Sequence, residues 1–207
     1  MKSTITNRYG TERYVYVVVH NTLCAFMSIY ILALLLSLPV YAAENDYQLE
    51  IFKSSRELLV KQGDVTIKRF HIALGKGGKG SKQHQGDRKT PLGMYKIMDF
   101  KADSKFYFFM QIDYPNLLDA WYGYKNNIIT AREFKQIAFA FKKHRQPPQN
   151  TALGGYIGIH GLGETTKERR KIHASFNWTE GCIALNNNEI NTLRQYVSIG
   201  TRVTIRE

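Results

Sequence analysis

Cys182 and His160 are the two side chains of this 207-residue chain whose types and surroundings favour nucleophilic chemistry. Cys182 follows Gly181, and the other cysteine, Cys24, lies inside an apolar N-terminal segment. A thiol attacks a carbonyl carbon as the thiolate and needs a base to accept its proton; histidine is the natural base near neutral pH. Because exported proteins normally pair or omit their cysteines, a lone thiol with a histidine available predicts an exported cysteine acyl-transfer enzyme.

Glycines beside both side chains are predicted to shape the site. Gly161 follows the histidine and Gly181 precedes the cysteine, and glycine permits close substrate approach and backbone angles that other residues avoid. The backbone amides of Gly181 and Cys182 are expected to face a developing oxyanion. Since no acidic residue stands out as a third member, the backbone carbonyl of Gly161 is the expected partner that orients the imidazole.

Other interpretations of these residues stay open. A buried free cysteine is commonly a small apolar core residue, and a histidine at a strand end is commonly structural. A zinc site of His160, His173 and Cys182 is conceivable, but it lacks paired-ligand spacing and a fourth ligand. The histidines without a catalytic context are interpreted as surface or structural residues: His71, His84, His144 and His173.

Residues 1–43 are typical of a targeting segment. The first of them include basic side chains, and residues 23–40 are almost wholly apolar. Pro39 ends a helix there, and small residues follow, as at a signal-peptide cleavage site. Because the apolar run approaches the ~20 residues that span a bilayer, an uncleaved membrane anchor is the alternative. Both interpretations place residues 44–207, one domain, in the periplasm or cell envelope.

The chain is strongly basic, with 29 Lys and Arg against 17 Asp and Glu and a net charge of +12. Outside the cytoplasm such a protein is drawn to anionic envelope material, either wall polymers or membrane surfaces. Nucleic acid is not the predicted partner, because the basic residues are spread along the chain and the compartment is wrong. Solubility alone is the simpler interpretation of the charge.

Alternating apolar and polar residues predict a mainly β domain. The strands are expected at residues 47–52, 57–61, 65–74, 93–100, 106–113, 156–160 and 200–205, with a turn at 62–64 and a long glycine-rich loop at 75–91. One helix is predicted after the capping box of Thr130 and Glu133, and it ends before two prolines. A second is expected at 188–196. Regular strand–helix alternation is absent, which argues against a parallel α/β sheet.

Four segments, in order along the chain, match the motifs of one enzyme family. They are Gly-Asp-Arg-Lys-Thr-Pro-Leu-Gly-Met-Tyr at 86–95, Asp-Tyr-Pro-Asn at 113–116, the segment 153–161 that ends in His160-Gly161, and Thr-Glu-Gly-Cys at 179–182. With these segments the chain resembles the L,D-transpeptidases with a YkuD-type catalytic domain, which act on peptidoglycan. It departs at Glu180, where many members have histidine, and at Ala184, where many have an arginine near the substrate. The residues that would replace that arginine at the substrate carboxylate are Arg88, Lys89 or Arg170.

The resemblance implies a β-sandwich-like catalytic domain over residues 44–207, with one or two packed helices and the cysteine under a mobile lid. It implies that Cys182 attacks the L-centre carbonyl of the third residue in a peptidoglycan tetrapeptide stem and expels D-Ala. His160 is the implied proton acceptor, and the implied supporting residues are Gly161, Thr179 and Gly181. The acyl group passes to an amine, either of another stem, giving a 3-3 cross-link, or of a wall-anchored lipoprotein. The resemblance implies no metal or organic cofactor, because thioester chemistry carries both halves.

Two alternatives to transpeptidation remain. If water reaches the thioester, the same residues give an L,D-carboxypeptidase or an amidase. If the thiol is not used at all, the domain is a non-catalytic wall-binding protein. The residue types alone indicate neither peptidoglycan nor the acceptor.

Overall fold

The structure, a computed structural model, describes residues 46–207, less the side chains of residues 103 and 104. Its strands are β1 (Tyr47–Phe52), β2 (Glu57–Gln62), β3 (Val65–His71), β4 (Gly93–Ser104), β5 (Tyr107–Ile112), β6 (Gly158–His160), β7 (Ile183–Ala184) and β8 (Arg202–Arg206). Its α-helices are α1 (Leu117–Lys125), α2 (Ala131–Lys142), α3 (Lys167–Ser175) and α4 (Asn187–Leu193), the last followed by a 3-10 turn at Arg194–Tyr196. The predicted leader lies outside the described residues and stays a prediction. Within residues 46–207, no helix has the length and apolar character needed to cross a bilayer.

The strands form one sheet in the order β3-β2-β1-β8-β4-β5-β6-β7. Most neighbours are antiparallel, but β1 runs parallel to β8, and β6 runs parallel to β7. The long strand β4 joins two halves of the sheet, because its first residues pair with β8 and the remainder pairs with β5. The mainly β prediction is therefore confirmed.

One apolar core lies between the two halves of the sheet. It contains Leu49 and Ile51 of β1 together with Ile159 of β6 and Ile183 of β7, all without solvent exposure. Since strands from both halves contribute to the same cluster, their inner faces pack against each other as in a β-sandwich. The short strands β6 and β7, which carry the motif residues, are therefore held at the edge of a packed core.

The helices differ in number from the prediction. The capping box of Thr130 and Glu133 starts α2 as predicted, with the Thr130 N–H donating to Glu133 Oε2 over 2.7 Å. The second predicted helix is present as α4 and its 3-10 turn, whereas α1 and α3 were not predicted. Helix α1 is rich in aromatic residues that favour strands, and α3 has no apolar stripe, so periodicity indicated neither. Packing of α1 on α2 around a small cluster that includes Ile137 and Leu153 stabilises this helical pair.

Candidate active site

The parallel pairing of β6 with β7 brings the backbones of His160 and Cys182 close to each other. His160 lies opposite Ala184 in this parallel pair, and Cys182 is two residues before Ala184. Strand spacing of ~4.8 Å and a rise of ~3.3 Å per residue place the Cα atoms of His160 and Cys182 roughly 8 Å apart. The register thus places His160 and Cys182, which directly precedes β7, close together in the backbone.

His160 is held as the tautomer that a general base needs. Its Nδ1 lies 2.7 Å from the carbonyl oxygen of Gly161, so Nδ1–H donates and Nε2 is left as the basic nitrogen. The ring stacks on Phe106 at 4.3 Å between centroids and meets the edge of Trp178 at 6.0 Å. The orienting carbonyl predicted from the sequence is present, and aromatic rings hold the imidazole plane.

Burial keeps His160 neutral. The side chain is 2% exposed, and loss of hydration lowers its pKa from the ordinary 6.5 to about 4, with the hydrogen bond to Gly161 acting in the opposite direction. At neutral pH the ring therefore carries no charge and can accept a proton at Nε2.

The thiol of Cys182 is also neutral at rest. Its Sγ lies 3.5 Å from the carbonyl oxygen of Tyr156. Although the residue is partly exposed to solvent, the protein around the sulfur withdraws it from water and raises its pKa to about 11, whereas the Gly158 amide and the charge of Lys82 lower it. The site thus holds a neutral thiol and a neutral imidazole.

A hydroxyl of Thr179 fixes the turn that carries the cysteine. Its Oγ1 donates to the carbonyl oxygen of Cys182 over 2.7 Å and accepts from the Gly181 N–H at 3.2 Å. The Thr179 backbone pairs with Leu74 and Lys76, which anchors the turn to the loop after β3. The Gly181 N–H already donates to the Thr179 hydroxyl. To donate to an oxyanion as expected, it would have to share or break that hydrogen bond. The Cys182 N–H is then the better candidate oxyanion donor.

Gly181 lets two backbone segments approach each other beside the cysteine. Its φ of +134° is a conformation that side chains disfavour, and a Cβ there would lie 2.9 Å from the carbonyl oxygen of Lys89. Across the same contact, a Cβ on Gly75 would lie within 3.0 Å of the Gly181 Cα. The glycine-rich loop and the cysteine turn are therefore packed backbone to backbone.

Gly161 allows a comparable approach on the histidine side. A Cβ there would lie 2.7 Å from Asn187 Oδ1 and 2.9 Å from the Phe106 carbonyl oxygen. Asn187 Oδ1 accepts from the Leu162 N–H at 2.8 Å, and its Nδ2 donates to Gly163 O over 2.8 Å. Asn187 therefore fixes the segment whose carbonyl orients His160. The sequence analysis did not single out this residue.

The rim of the site carries a paired charge cluster. Glu180 lies 2.6 Å from Lys76 and 3.1 Å from Arg88 in two ion pairs. Ala184 is fully buried and forms a bridge with Ala73, so this position has no side chain for substrate. Arg88 is one of the three cations considered from the sequence as replacements for the arginine. In the structure it forms an ion pair with Glu180.

Lys82 is a cation that sequence reasoning missed. It is 6% exposed, and its Nζ lies 2.8 Å from Asp87 Oδ1. Its charge lowers the pKa of the Cys182 thiol. A cavity of about 390 Å³ is lined by Lys82, Glu180 and Tyr156. Since the Tyr156 carbonyl is the contact of the sulfur, this cavity reaches the immediate surroundings of Cys182.

His173 is buried rather than on the surface. It is 2% exposed, and neither ring nitrogen has a hydrogen-bond partner within the described residues. Burial lowers its pKa to about 4. No group of three His, Cys, Asp or Glu side chains in residues 46–207 is arranged to hold a metal ion.

Comparison with known proteins identifies the family. Residues 46–205 match the YkuD family, the L,D-transpeptidase catalytic domain. YafK of Escherichia coli (strain K12), whose own assignment as an L,D-transpeptidase is provisional, is 35% identical over 101 residues, which cover 46% of this chain and 38% of YafK.

Solved structures show the same fold. The helical cell shape determining protein Pgp2 of Campylobacter jejuni superposes with a TM-score of 0.51 at 24% identity, covering 81% of this chain and 49% of Pgp2. The chain thus covers less than half the length of each of these two relatives. With the family match extending over nearly all described residues, the chain belongs to the YkuD family of L,D-transpeptidase catalytic domains.

Proposed function

We propose that the domain is an exported cysteine L,D-transpeptidase that acts on peptidoglycan stems in the periplasm or cell envelope. The single observation that supports it most is the pairing of β6 with β7, which brings the backbones of His160 and Cys182 close together, with the Nδ1 of His160 bound to the Gly161 carbonyl. This leaves Nε2 free to accept a proton from the thiol. Family membership supplies the substrate class.

The first half-reaction forms a thioester. The Cys182 sulfur attacks the L-centre carbonyl of the third stem residue while its proton moves to Nε2 of His160. The tetrahedral intermediate collapses, the bond to the terminal D-Ala nitrogen breaks, and the imidazolium gives its proton to that departing amine. Because burial raises the pKa of the thiol and lowers that of the imidazole, the reaction starts from the neutral pair and requires proton transfer from Cys182 to His160.

The second half-reaction returns the sulfur to the thiol. An acceptor amine attacks the thioester carbonyl, the carbon–sulfur bond breaks, and the amine proton passes through His160 to the sulfur. An amine of another stem gives a 3-3 cross-link, and a lipoprotein lysine gives a wall anchor. Thr179 keeps the cysteine turn in position during both halves through its contacts with Gly181 and Cys182.

Mass spectrometry of the protein incubated with tetrapeptide muropeptides tests this proposal. Wild type is expected to release D-Ala and to carry an acyl adduct on Cys182, whereas Cys182→Ala and His160→Ala do neither. Cross-linked dimer as product assigns a transferase, and free tripeptide assigns a hydrolase. Full activity of Cys182→Ala would refute the mechanism, whereas a wild type that binds the wall but releases no D-Ala would leave a wall-binding role.

A further inference from the structure

A groove follows the exposed face of α2 and the segment after it. Its first part, about 440 Å³, is lined by Arg132, Lys135, Gln136 and Phe139. Its second part, about 510 Å³, is lined again by Gln136 and Phe139 and continues to Arg145 and Asn150. The two parts are neighbours, because Gln136 and Phe139 line both. We call this groove the α2 track.

The α2 track leads to the candidate active site. Asn150, which lines its second part, also lines the cavity of about 390 Å³ bounded by Tyr156 and Glu180. The carbonyl of Tyr156 is in turn the contact of the Cys182 sulfur. The α2 track therefore lies next to the cavity that adjoins the surroundings of the thiol.

Gln149 fixes the junction between the α2 track and the site. Its Nε2 donates to the carbonyl oxygens of Tyr114 and Pro147, at 2.8 Å and 2.9 Å. Its Oε1 accepts from the Tyr156 N–H at 2.6 Å and from the Gln111 amide at 2.9 Å. With both ends of its amide engaged, Gln149 holds the path in one shape before any substrate arrives.

The lining of the α2 track is basic and amide-rich, with one exposed aromatic ring. The cations are Arg132, Lys135 and Arg145, and the lining residues of these two parts include no carboxylate. Phe139 is 56% exposed between them. Carboxylates pair with such cations, amides hydrogen-bond to hydroxyl and peptide groups, and a ring packs on sugar or apolar faces.

We propose that the α2 track binds the length of wall polymer that adjoins the reacting stem, an extended, carboxylate-bearing glycopeptide. The helix from Arg132 to Phe139 is about 10 Å long at ~1.5 Å per residue. This length of surface is additional to the space that one stem residue occupies at Cys182. A concave surface with interspersed amides suits such a chain better than a bilayer, which favours a continuous apolar face. This inference rests on the proposed function, since the polymer must end at the thiol.

Assays on two substrates distinguish effects on the α2 track from effects on the catalytic centre. The full-length protein is assayed on a soluble tetrapeptide muropeptide and on intact sacculi, with Lys135→Glu and Phe139→Ala as variants. Lys68→Glu, the same charge change on exposed strand β3, is the matched control. We expect wild-type rates on the muropeptide for all three variants, and half-saturating sacculus concentrations raised about fivefold or more for the two track variants only.

The outcomes distinguish the two proposals. Equal sacculus kinetics for Lys135→Glu, Phe139→Ala and Lys68→Glu would overturn the α2 track while leaving the proposed function intact. If wild type does not act on the muropeptide, the proposed function fails. Pull-down with sacculi then tests the α2 track alone: weaker retention of Lys135→Glu than of Lys68→Glu would support the track. Loss of binding to phosphatidylglycerol vesicles with unchanged sacculus binding would make the occupant a membrane and also overturn it.

Discussion

Cys182 should react slowly with alkylating agents in the absence of substrate. Burial raises the pKa of its thiol from the ordinary 9.0 to about 11, which lowers the thiolate fraction at pH 7 by about 100-fold. A more basic thiolate is also a better nucleophile, and a Brønsted coefficient of ~0.4–0.5 restores roughly sixfold to tenfold of that loss. We therefore expect alkylation about tenfold slower than that of an unperturbed cysteine.

Iodoacetamide labelling between about pH 5 and pH 9.5 measures this directly. Mass spectrometry of the peptide that contains Cys182 gives the rate and avoids interference from Cys24, and a small-molecule thiol provides the reference. The rate is expected to rise about tenfold per pH unit without a plateau. A pH-independent rate between about pH 5 and pH 8, above that of the reference thiol, would show a resting thiolate–imidazolium pair and refute the neutral-pair reasoning. His160→Gln should leave resting alkylation nearly unchanged while abolishing turnover.

Three further predictions concern stability and the cysteine turn. The pKa of His160 is about 4 in the folded protein against 6.5 in the unfolded chain, so the free energy of unfolding should fall by about 3 kcal/mol as the pH drops from 6.5 to 4. In denaturant unfolding, the free energy of unfolding of His160→Gln should depend less steeply on pH. An equal dependence would contradict the assignment. Thr179→Val removes both hydrogen bonds of the turn and should lower activity by about tenfold or more and Tm by several degrees, whereas Thr179→Ser, which keeps the hydroxyl, stays near wild type in the same assays. His173→Phe removes two unpartnered buried nitrogens and should stabilise the fold by about 1–2 kcal/mol in thermal unfolding. A lower Tm would contradict this expectation.

Features with a strong local cause could be predicted from the sequence. The capping box of Thr130 and Glu133 is satisfied entirely by residues three apart, so the start of α2 needed no tertiary information. The hydrogen bond from His160 to the Gly161 carbonyl is equally local. Period-two alternation located β1, in which the buried Leu49 and Ile51 alternate with partly exposed residues.

Features that depend on distant parts of the chain were missed or misassigned. Lys82 affects the Cys182 thiol only because the 75–91 loop packs on the cysteine turn, which no local pattern indicates. Helix α1 contains aromatic residues that favour strands. It forms as a helix because α2 supplies its packing surface.

The position of β8 also determines when the domain can fold during synthesis. Leu49 of β1 pairs with Val203 of β8, and Gly93 of β4 pairs with Ile205 on the other side. Until Arg202–Arg206 leaves the ribosome, β1 and β4 have no strand between them, and the two halves of the sheet cannot close over one core. Such long-range pairing delays folding. The two halves of the domain therefore stay apart until its last strand has been synthesised.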